Sequence, residues 1–167
     1  MLIQQIRGNI NTNHSSNKTI DWLQLHWYET NKRILIRKTN SGKEISFKFL
    51  DRAPLLTQGD ILFEDEINII AVEVLPCDCI VIKPKNMFDM ASVCYEIGNK
   101  HLPLFFENDE VLVPFEKPLF SLLTAQGYEV EKAERKLLAP LKTTVSPHPP
   151  QVSSTLFSKI MKLTTND

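Results

Sequence analysis

Residues 79–101 read CIVIKPKNMFDMASVCYEIGNKH, and this stretch decides the fold of the second half of the chain. It begins with an apolar strand at residues 79–82 and continues through a helix at residues 84–98, with Gly98 as the helix C-cap. His101 follows this cap. The helix is indicated by residues that recur at spacings of three and four, namely Met87, Met90, Ala91, Cys94 and Ile97.

The residues after His101 complete a regular order of elements. Apolar runs at 102–106 and 111–113 flank a polar turn and predict a hairpin. A second helix begins near Pro118 and ends at Gly127, and a last strand starts at Tyr128. The order β-α-β-β-α-β is the ferredoxin-like arrangement, in which two helices pack on one face of an antiparallel sheet. Residues 129–138 also fit a helix by their Glu, Lys and Arg content.

The first half of the chain reads as short strands. Leu23, Leu25 and Trp27 alternate with other residues at a period of two, and a hairpin turns near Gly42. We count five or six strands and no helix before the pattern changes near residues 73–76. The fold class predicted is therefore α+β. An all-β domain at 1–74 precedes a ferredoxin-like domain at 75–139, and a flexible tail covers 140–167.

The tail loses periodicity because prolines surround His148 and favour an extended, solvated segment. Further on, apolar residues between Leu156 and Leu163 share roughly one helical face. That segment is too short to be a stable helix alone but suits folding against a partner.

Composition limits the classes of function. Hydrophobic residues make up 43% of the chain, charged residues 23%, and the formal net charge is -1, so nothing predicts nucleic-acid binding. No apolar run is long enough to span a membrane, and residues 1–8 lack the pattern of a signal peptide, so we expect a cytoplasmic protein without a membrane partner. Three cysteines do not make a disulfide framework.

His101 is the strongest candidate metal ligand. A lone histidine beside a helix end is usually a surface residue or a favourable charge near the helix dipole. A twofold axis at this helix end would instead bring two imidazoles together, and His148 from each flexible tail would raise the number to four. Imidazole suits Ni²⁺, Zn²⁺ and Cu²⁺, and mobile ligands favour reversible binding and delivery of the ion.

The cysteines have two interpretations. Cys77 and Cys79, two residues apart on a strand, put both sulfurs on one face and could hold a soft ion. The stronger interpretation is that they are buried core thiols, because this segment opens an apolar strand and no second pair completes a tetrahedral zinc site. Cys94 lies on the apolar side of the helix and is predicted to be core, and His26 is predicted to pack beside aromatic residues.

We expect no enzymatic activity. The sequence shows no nucleophile with its base, no paired carboxylates and no glycine-rich phosphate loop. Energy for a delivery cycle would then come from another protein. A thiol enzyme that uses Cys77 or Cys79 is a lesser alternative.

Three segments carry a family resemblance. Residues 94–103, residues 114–127 and residues 59–63 together resemble the UreE family of urease accessory proteins, and the similarity covers about residues 1–145. The resemblance implies a peptide-binding-like all-β domain and a ferredoxin-like domain that dimerises and binds nickel between subunits. His101 falls on the family's site histidine, and His148 matches a tail histidine of members without a histidine-rich end.

The resemblance also implies a function. It predicts a homodimeric nickel chaperone, possible also as a dimer of dimers, that hands Ni²⁺ to a GTPase partner acting on the urease apoprotein complex. Zn²⁺ or Cu²⁺ would occupy the same site. Because the tail holds one histidine and no histidine-rich run, about one metal ion per dimer is expected. The alternative is a protein-binding adaptor of urease assembly in which metal binding is incidental.

Overall fold

The computed structural model describes residues 1–12, 17–50 and 52–141. The predicted tail at 140–167 therefore lies almost wholly outside the described residues, together with His148 and the loop residue His14.

The N-terminal region is built from two sheets. The strands are β1 (Leu2–Ile3), β2 (Gly8–Asn9), β3 (Thr19–Leu25), β4 (Ile34–Lys38), β5 (Glu44–Lys48), β6 (Asp60–Glu64) and β7 (Asn68–Val74). One sheet has the order β1-β5-β4 and the other the order β2-β6-β7-β3. β4 and β5 form the hairpin that Gly42 predicts, with Gly42 at φ 88°. The alternating apolar side chains of both sheets meet in a shared core that includes Leu23, Phe47 and Val72.

Two expectations for this region are wrong in detail. β3 ends at Leu25, not at Trp27, because residues Trp27–Glu29 form a 3₁₀ helix instead of continuing the strand. The Glu29 carboxylate accepts a hydrogen bond from the backbone N–H of His26 and so starts this turn. Within the described residues, this region has seven strands rather than five or six, since β1 and β2 have two residues each and are too short to leave a periodic signal.

The C-terminal region has the predicted β-α-β-β-α-β order. Its elements are β8 (Cys77–Ile82), α1 (Met87–Asn99), β9 (Phe105–Glu107), β10 (Glu110–Pro114), α2 (Lys117–Ala125) and β11 (Val130–Arg135). The strands form one antiparallel sheet in the order β11-β8-β10-β9. The mixed α+β fold is thus confirmed. The competing helix at 129–138 is wrong, because pairing with β8 holds residues 130–135 in the sheet.

The C-terminal sheet has two buried faces. One face packs with both helices in a core that includes Ile80, Val93 and Leu123. The other face carries Cys79 and Phe105, and the Phe105 ring meets the Trp27 ring of the N-terminal region edge to face, with centroids 5.6 Å apart. Burial on both faces explains why β8 is a continuous apolar run after Asp78. Among the described residues, neither α-helix is long and apolar enough to cross a membrane.

Candidate functional site

The end of α1 differs from its prediction. Gly98 is not the C-cap, because the helix continues to Asn99 and Lys100 takes the cap position. The His101 backbone N–H donates to the Gly98 carbonyl over 2.9 Å, and the Leu102 N–H donates to the Ile97 carbonyl over 3.4 Å. These two bonds are the pair that defines a Schellman motif, and they place His101 at the position directly after the cap.

His101 adopts the left-handed backbone conformation that this motif requires, with φ 56°. Glycine normally fills this position because a Cβ is unfavourable there, although histidine is enriched among the non-glycine exceptions. Leu102, the next residue, packs against the core that contains Ile97 and so fixes the motif. The backbone at His101 is therefore strained, and this strained position holds an exposed imidazole at the end of α1.

The exposed side of α1 is apolar. Met87 and Phe88 are 82% and 79% exposed, and Tyr95 is 70% exposed. Met87 and Ala91, which the sequence pattern assigns to the core side, are exposed instead, and Val93 takes their place in the core. Cys94 is half-buried and packs on that core as predicted. At 3.6 residues per turn, the exposed apolar residues and Gly98 lie within about 100° of the helix circumference. They are Met87, Phe88, Ala91, Tyr95 and Gly98, and we call them the α1 stripe.

Gly98 lies on this stripe and has no structural requirement within its own chain. Its φ is not positive, and a Cβ built on it would meet nothing within 4 Å. A glycine inside a helix costs about 1 kcal/mol relative to alanine. Sequence reasoning missed this point, because it took Gly98 for a cap residue. The signal that remains is a glycine three residues before His101 with no conformational reason to be there.

The described residues of one chain do not make a complete metal centre. Within the part of the chain that the structure describes, no group of three or more His, Cys, Asp or Glu side chains could hold an ion. His101 is exposed at the carbonyl end of α1, where the partial negative charge of the helix favours a cation. His148 lies outside the described residues. His26 stacks on Tyr28 with ring centroids 5.2 Å apart, as its aromatic neighbours predict.

Cys77 and Cys79 share one face of β8, as their spacing predicts. Their sulfurs lie 3.8 Å apart, Cys79 is fully buried and Cys77 is half-buried. Burial raises the pKa of Cys79 to about 12 and also raises the pKa of Cys77. Because the thiolate is the nucleophile, these directions of shift count against a thiol enzyme at these residues.

Comparisons with known proteins identify the family. A family model described as UreE urease accessory protein, N-terminal domain, matches residues 3–75, and the corresponding C-terminal domain model matches residues 77–141. The chain belongs to the UreE family of urease accessory proteins. The resemblance seen in the sequence is confirmed, and the matches extend over both regions of the fold.

Curated UreE proteins are similar over most of this chain. The urease accessory protein UreE of Flavobacterium johnsoniae is 45% identical over 163 residues, which cover 98% of this chain and 99% of the relative. UreE of Haemophilus influenzae is 41% identical over 145 residues, 84% of this chain and 78% of the relative. UreE of Helicobacter pylori is 39% identical over 152 residues, 89% of each chain. A role in urease maturation is consistent with this membership, and the family is one of accessory proteins and not of enzymes.

Proposed function

We propose that the chain is a cytoplasmic, homodimeric nickel metallochaperone. Two copies of His101 would bind Ni²⁺ across a twofold axis, with His148 from the tails closing the site, and the ion would pass to the urease accessory GTPase and the urease apoprotein complex. Zn²⁺ or Cu²⁺ would occupy the same site. The observation that carries this proposal is the position of His101: an exposed imidazole in a strained backbone conformation, at the end of a helix whose outer side is apolar.

The α1 stripe supports dimerisation next to the site. A twofold interface uses the same surface on both subunits, so two copies of α1 that meet near Gly98, at the C-terminal end of the α1 stripe, would also bring the two His101 side chains close together. Phe88 and Tyr95 offer the kind of large, exposed rings that are enriched in interfaces. Gly98 would let the two helix backbones approach closely, which explains a helix glycine that its own chain does not need. A dimer of dimers remains part of the proposal.

The chemistry of the site follows from its ligands. Each chain supplies one His101 imidazole, so two subunits are required before an ion meets two of these nitrogens, and a further pair from His148 would give up to four. A ligating imidazole must be neutral, so acidification releases the ion. The partial negative charges at the C-terminal ends of the two α1 helices would stabilise a divalent cation that binds between them. Such a site binds and releases an ion and needs no catalytic group of its own.

The division of the chain into domains at 1–74 and 75–139, with a tail at 140–167, stays a proposal. The two family models match on either side of residue 76, which supports it. Trp27 and Phe105 are in contact across this division, so the two units would pack on each other rather than hang on a free linker.

A protein-binding adaptor is the second candidate, and a specific surface favours it. On the outer face of the β1-β5-β4 sheet, Leu2 and Ile36 flank Ser46 in one row, and both are more than half exposed. Ile34 on the same strand is 75% exposed. An apolar sheet face of this kind suits a protein partner. In the adaptor alternative, this face carries the function and metal binding is incidental.

A nickel titration separates the two candidates. Purified full-length protein and its His101→Ala variant are titrated with Ni²⁺ by calorimetry, and the oligomeric state of both is measured by light scattering. We expect about one tight Ni²⁺ per dimer in the native protein and loss of tight binding in His101→Ala with the dimer intact. His26→Ala is the matched control, because it removes another exposed histidine, one that lies outside the proposed site.

Two outcomes would contradict the chaperone. Equal nickel affinity in the native protein and in His101→Ala would leave the adaptor as the better account. An equal loss in His26→Ala would show that nickel binds exposed histidines without regard to position. A further check is pH: affinity that stays flat between about pH 8 and about pH 5.5 would exclude histidine ligands.

A further inference from the structure

We propose that Cys77 and Cys79 form a second metal site, one that binds a single Cu(I) ion per chain and is independent of His101. The two sulfurs project from one face of β8 and lie 3.8 Å apart. Thiolates that bind one ion with bonds of about 2.3 Å are separated by about 3.8 Å at a tetrahedral angle and by about 4.6 Å in a linear arrangement. The pair is therefore already at the tetrahedral spacing, and a linear Cu(I) site would require the sulfur of half-buried Cys77 to move about 0.8 Å further from that of Cys79.

The surroundings of the pair select a soft ion that needs few ligands. Cys79 belongs to a buried cluster with Val81, Phe105, Leu112 and Leu137. This apolar shell supplies no oxygen or nitrogen ligand to complete a tetrahedral Zn²⁺ or Ni²⁺ site, and no third His, Cys, Asp or Glu joins the pair among the described residues. Thiolates suit Cu(I), Zn²⁺ and iron–sulfur clusters, and of these Cu(I) is the one that is stable with two sulfur ligands.

The site also has a route by which an ion can enter and a positive side chain near the two sulfurs. Cys77 is half-buried at the start of β8, so an ion can reach the pair from that side, while Cys79 is closed to solvent. Binding exchanges two thiol protons for one Cu⁺, gives a bis-thiolate with a net charge of −1, and transfers no electron. Arg135 pairs with Cys77 in the β8-β11 register, and its positive charge already acts on the Cys79 thiol. The guanidinium, which also lies 3.8 Å from the Glu107 carboxylate, would offset part of the charge of the bis-thiolate.

The alternative is that both residues are inert core thiols, which is the usual role of buried cysteines. The two accounts differ in what happens to Cu(I), because core thiols would not compete with a strong chelator. Cys94 is a half-buried thiol on the other side of the sheet, with the Met90 sulfur 3.9 Å away. It lies outside the proposed site, so it serves as the control thiol.

The test is a competition for Cu(I). Reduced full-length protein is added, without oxygen, to the Cu(I) complex of bathocuproine disulfonate, and loss of the coloured complex measures copper transfer. We expect the native protein to take about one Cu(I) per chain, and His101→Ala and the matched thiol control Cys94→Ala to take the same amount. Cys77→Ser and Cys79→Ala should lose this uptake, and X-ray absorption of the native complex should show two sulfur neighbours on copper.

The result does not depend on a variant that unfolds. Cys79→Ala leaves a small void in the core, whereas Cys77→Ser changes a half-buried side chain and should keep the native circular dichroism and the native Ni²⁺ affinity. Full Cu(I) uptake by folded Cys77→Ser would overturn the proposal, as would loss of uptake in His101→Ala. Because nickel and copper are measured separately, failure of this site leaves the proposal for His101 standing, and the converse also holds.

Discussion

His101 and Gly127 occupy the same position in the same capping motif. Each follows the C-cap of a helix, Lys100 for α1 and Gln126 for α2, and each takes a left-handed backbone conformation, with φ 56° and 83°. The paired hydrogen bonds also correspond, since the residue after Gly127 bonds to the Leu123 carbonyl as Leu102 bonds to the Ile97 carbonyl. The second helix uses the residue that this conformation favours, and the first uses a histidine instead.

His101→Gly should therefore stabilise the fold while it removes the proposed nickel site. Relief of the left-handed strain outweighs the extra freedom of glycine in the unfolded chain, so we expect a gain of up to about 1 kcal/mol in the free energy of unfolding. Urea denaturation measures this gain and a nickel titration measures the loss. Gly127→Ala is the mirror control and should cost about 1 kcal/mol without any change in nickel affinity. A destabilised His101→Gly would show that the imidazole itself supports the fold.

Gly98→Ala should strengthen the monomer and weaken the dimer. Alanine at this helix position raises helix propensity by about 0.5–1 kcal/mol and meets no atom of its own chain. If a second α1 packs against Gly98, the added methyl group separates the helices. Analytical ultracentrifugation should then show a larger dimer dissociation constant, and nickel affinity should fall with it. An unchanged dimer would place the interface away from this part of the α1 stripe.

Tyr95→Glu should convert the protein to monomers that still fold. The side chain is 70% exposed, so the charge costs little in the monomer, whereas it would be buried in the proposed interface. The expected result is a halved mass by light scattering, native circular dichroism and loss of tight nickel binding. Ile34→Glu is matched in exposure, at 75%, but lies on the outer sheet face and should leave dimer and nickel binding unchanged. Dimers that persist in Tyr95→Glu would contradict the α1 interface.

The native thiols should resist alkylation. Burial raises the pKa of Cys79 to about 12 and raises the pKa values of Cys77 and Cys94. A raised pKa means less thiolate at a given pH, so iodoacetamide at about pH 8 should label the folded protein slowly and Cys79 last. Unfolding in urea should expose all three thiols to rapid labelling. Fast modification of Cys79 in the folded state, followed by mass spectrometry of peptides, would show that its region opens readily.

Arg37→Ala should destabilise the N-terminal region. The Glu29 carboxylate is 1% exposed, forms an ion pair with the half-exposed Arg37, and also accepts the His26 N–H. Removing the arginine leaves a buried carboxylate with less compensation, at a cost of about 1–3 kcal/mol after allowance for solvent around Arg37. Urea denaturation of Arg37→Ala tests this, and Lys38→Ala on the same strand is an exposed control that should change the stability little. Equal stability of both variants would show that solvent compensates the carboxylate.

Local patterns predicted most of the fold because the residues that decide each element lie within a few positions of one another in the sequence. The turn around Gly42, the helix between β8 and β9, and the turn after α2 each follow from residues within a few positions of one another. The wrong predictions concern elements whose structure depends on contacts that no short pattern shows. Residues 130–135 are a strand because β8 lies beside them, and Trp27 leaves the strand because Glu29 turns the chain. Helical spacing alone also does not say which of two adjacent apolar sides of α1 faces the core.

The sequence by itself determined the family and the α+β class and singled out His101 as the candidate metal ligand, since these depend on residue types and spacings that lie close together in the chain. Only the tertiary structure decided that His101 takes a strained capping position, that the α1 stripe is exposed, and that the two sulfurs of β8 lie 3.8 Å apart beside Arg135. The physical reason is that exposure and distance are properties of packed elements. They depend on which strands pair and which helix faces are covered, and no window of sequence contains that information.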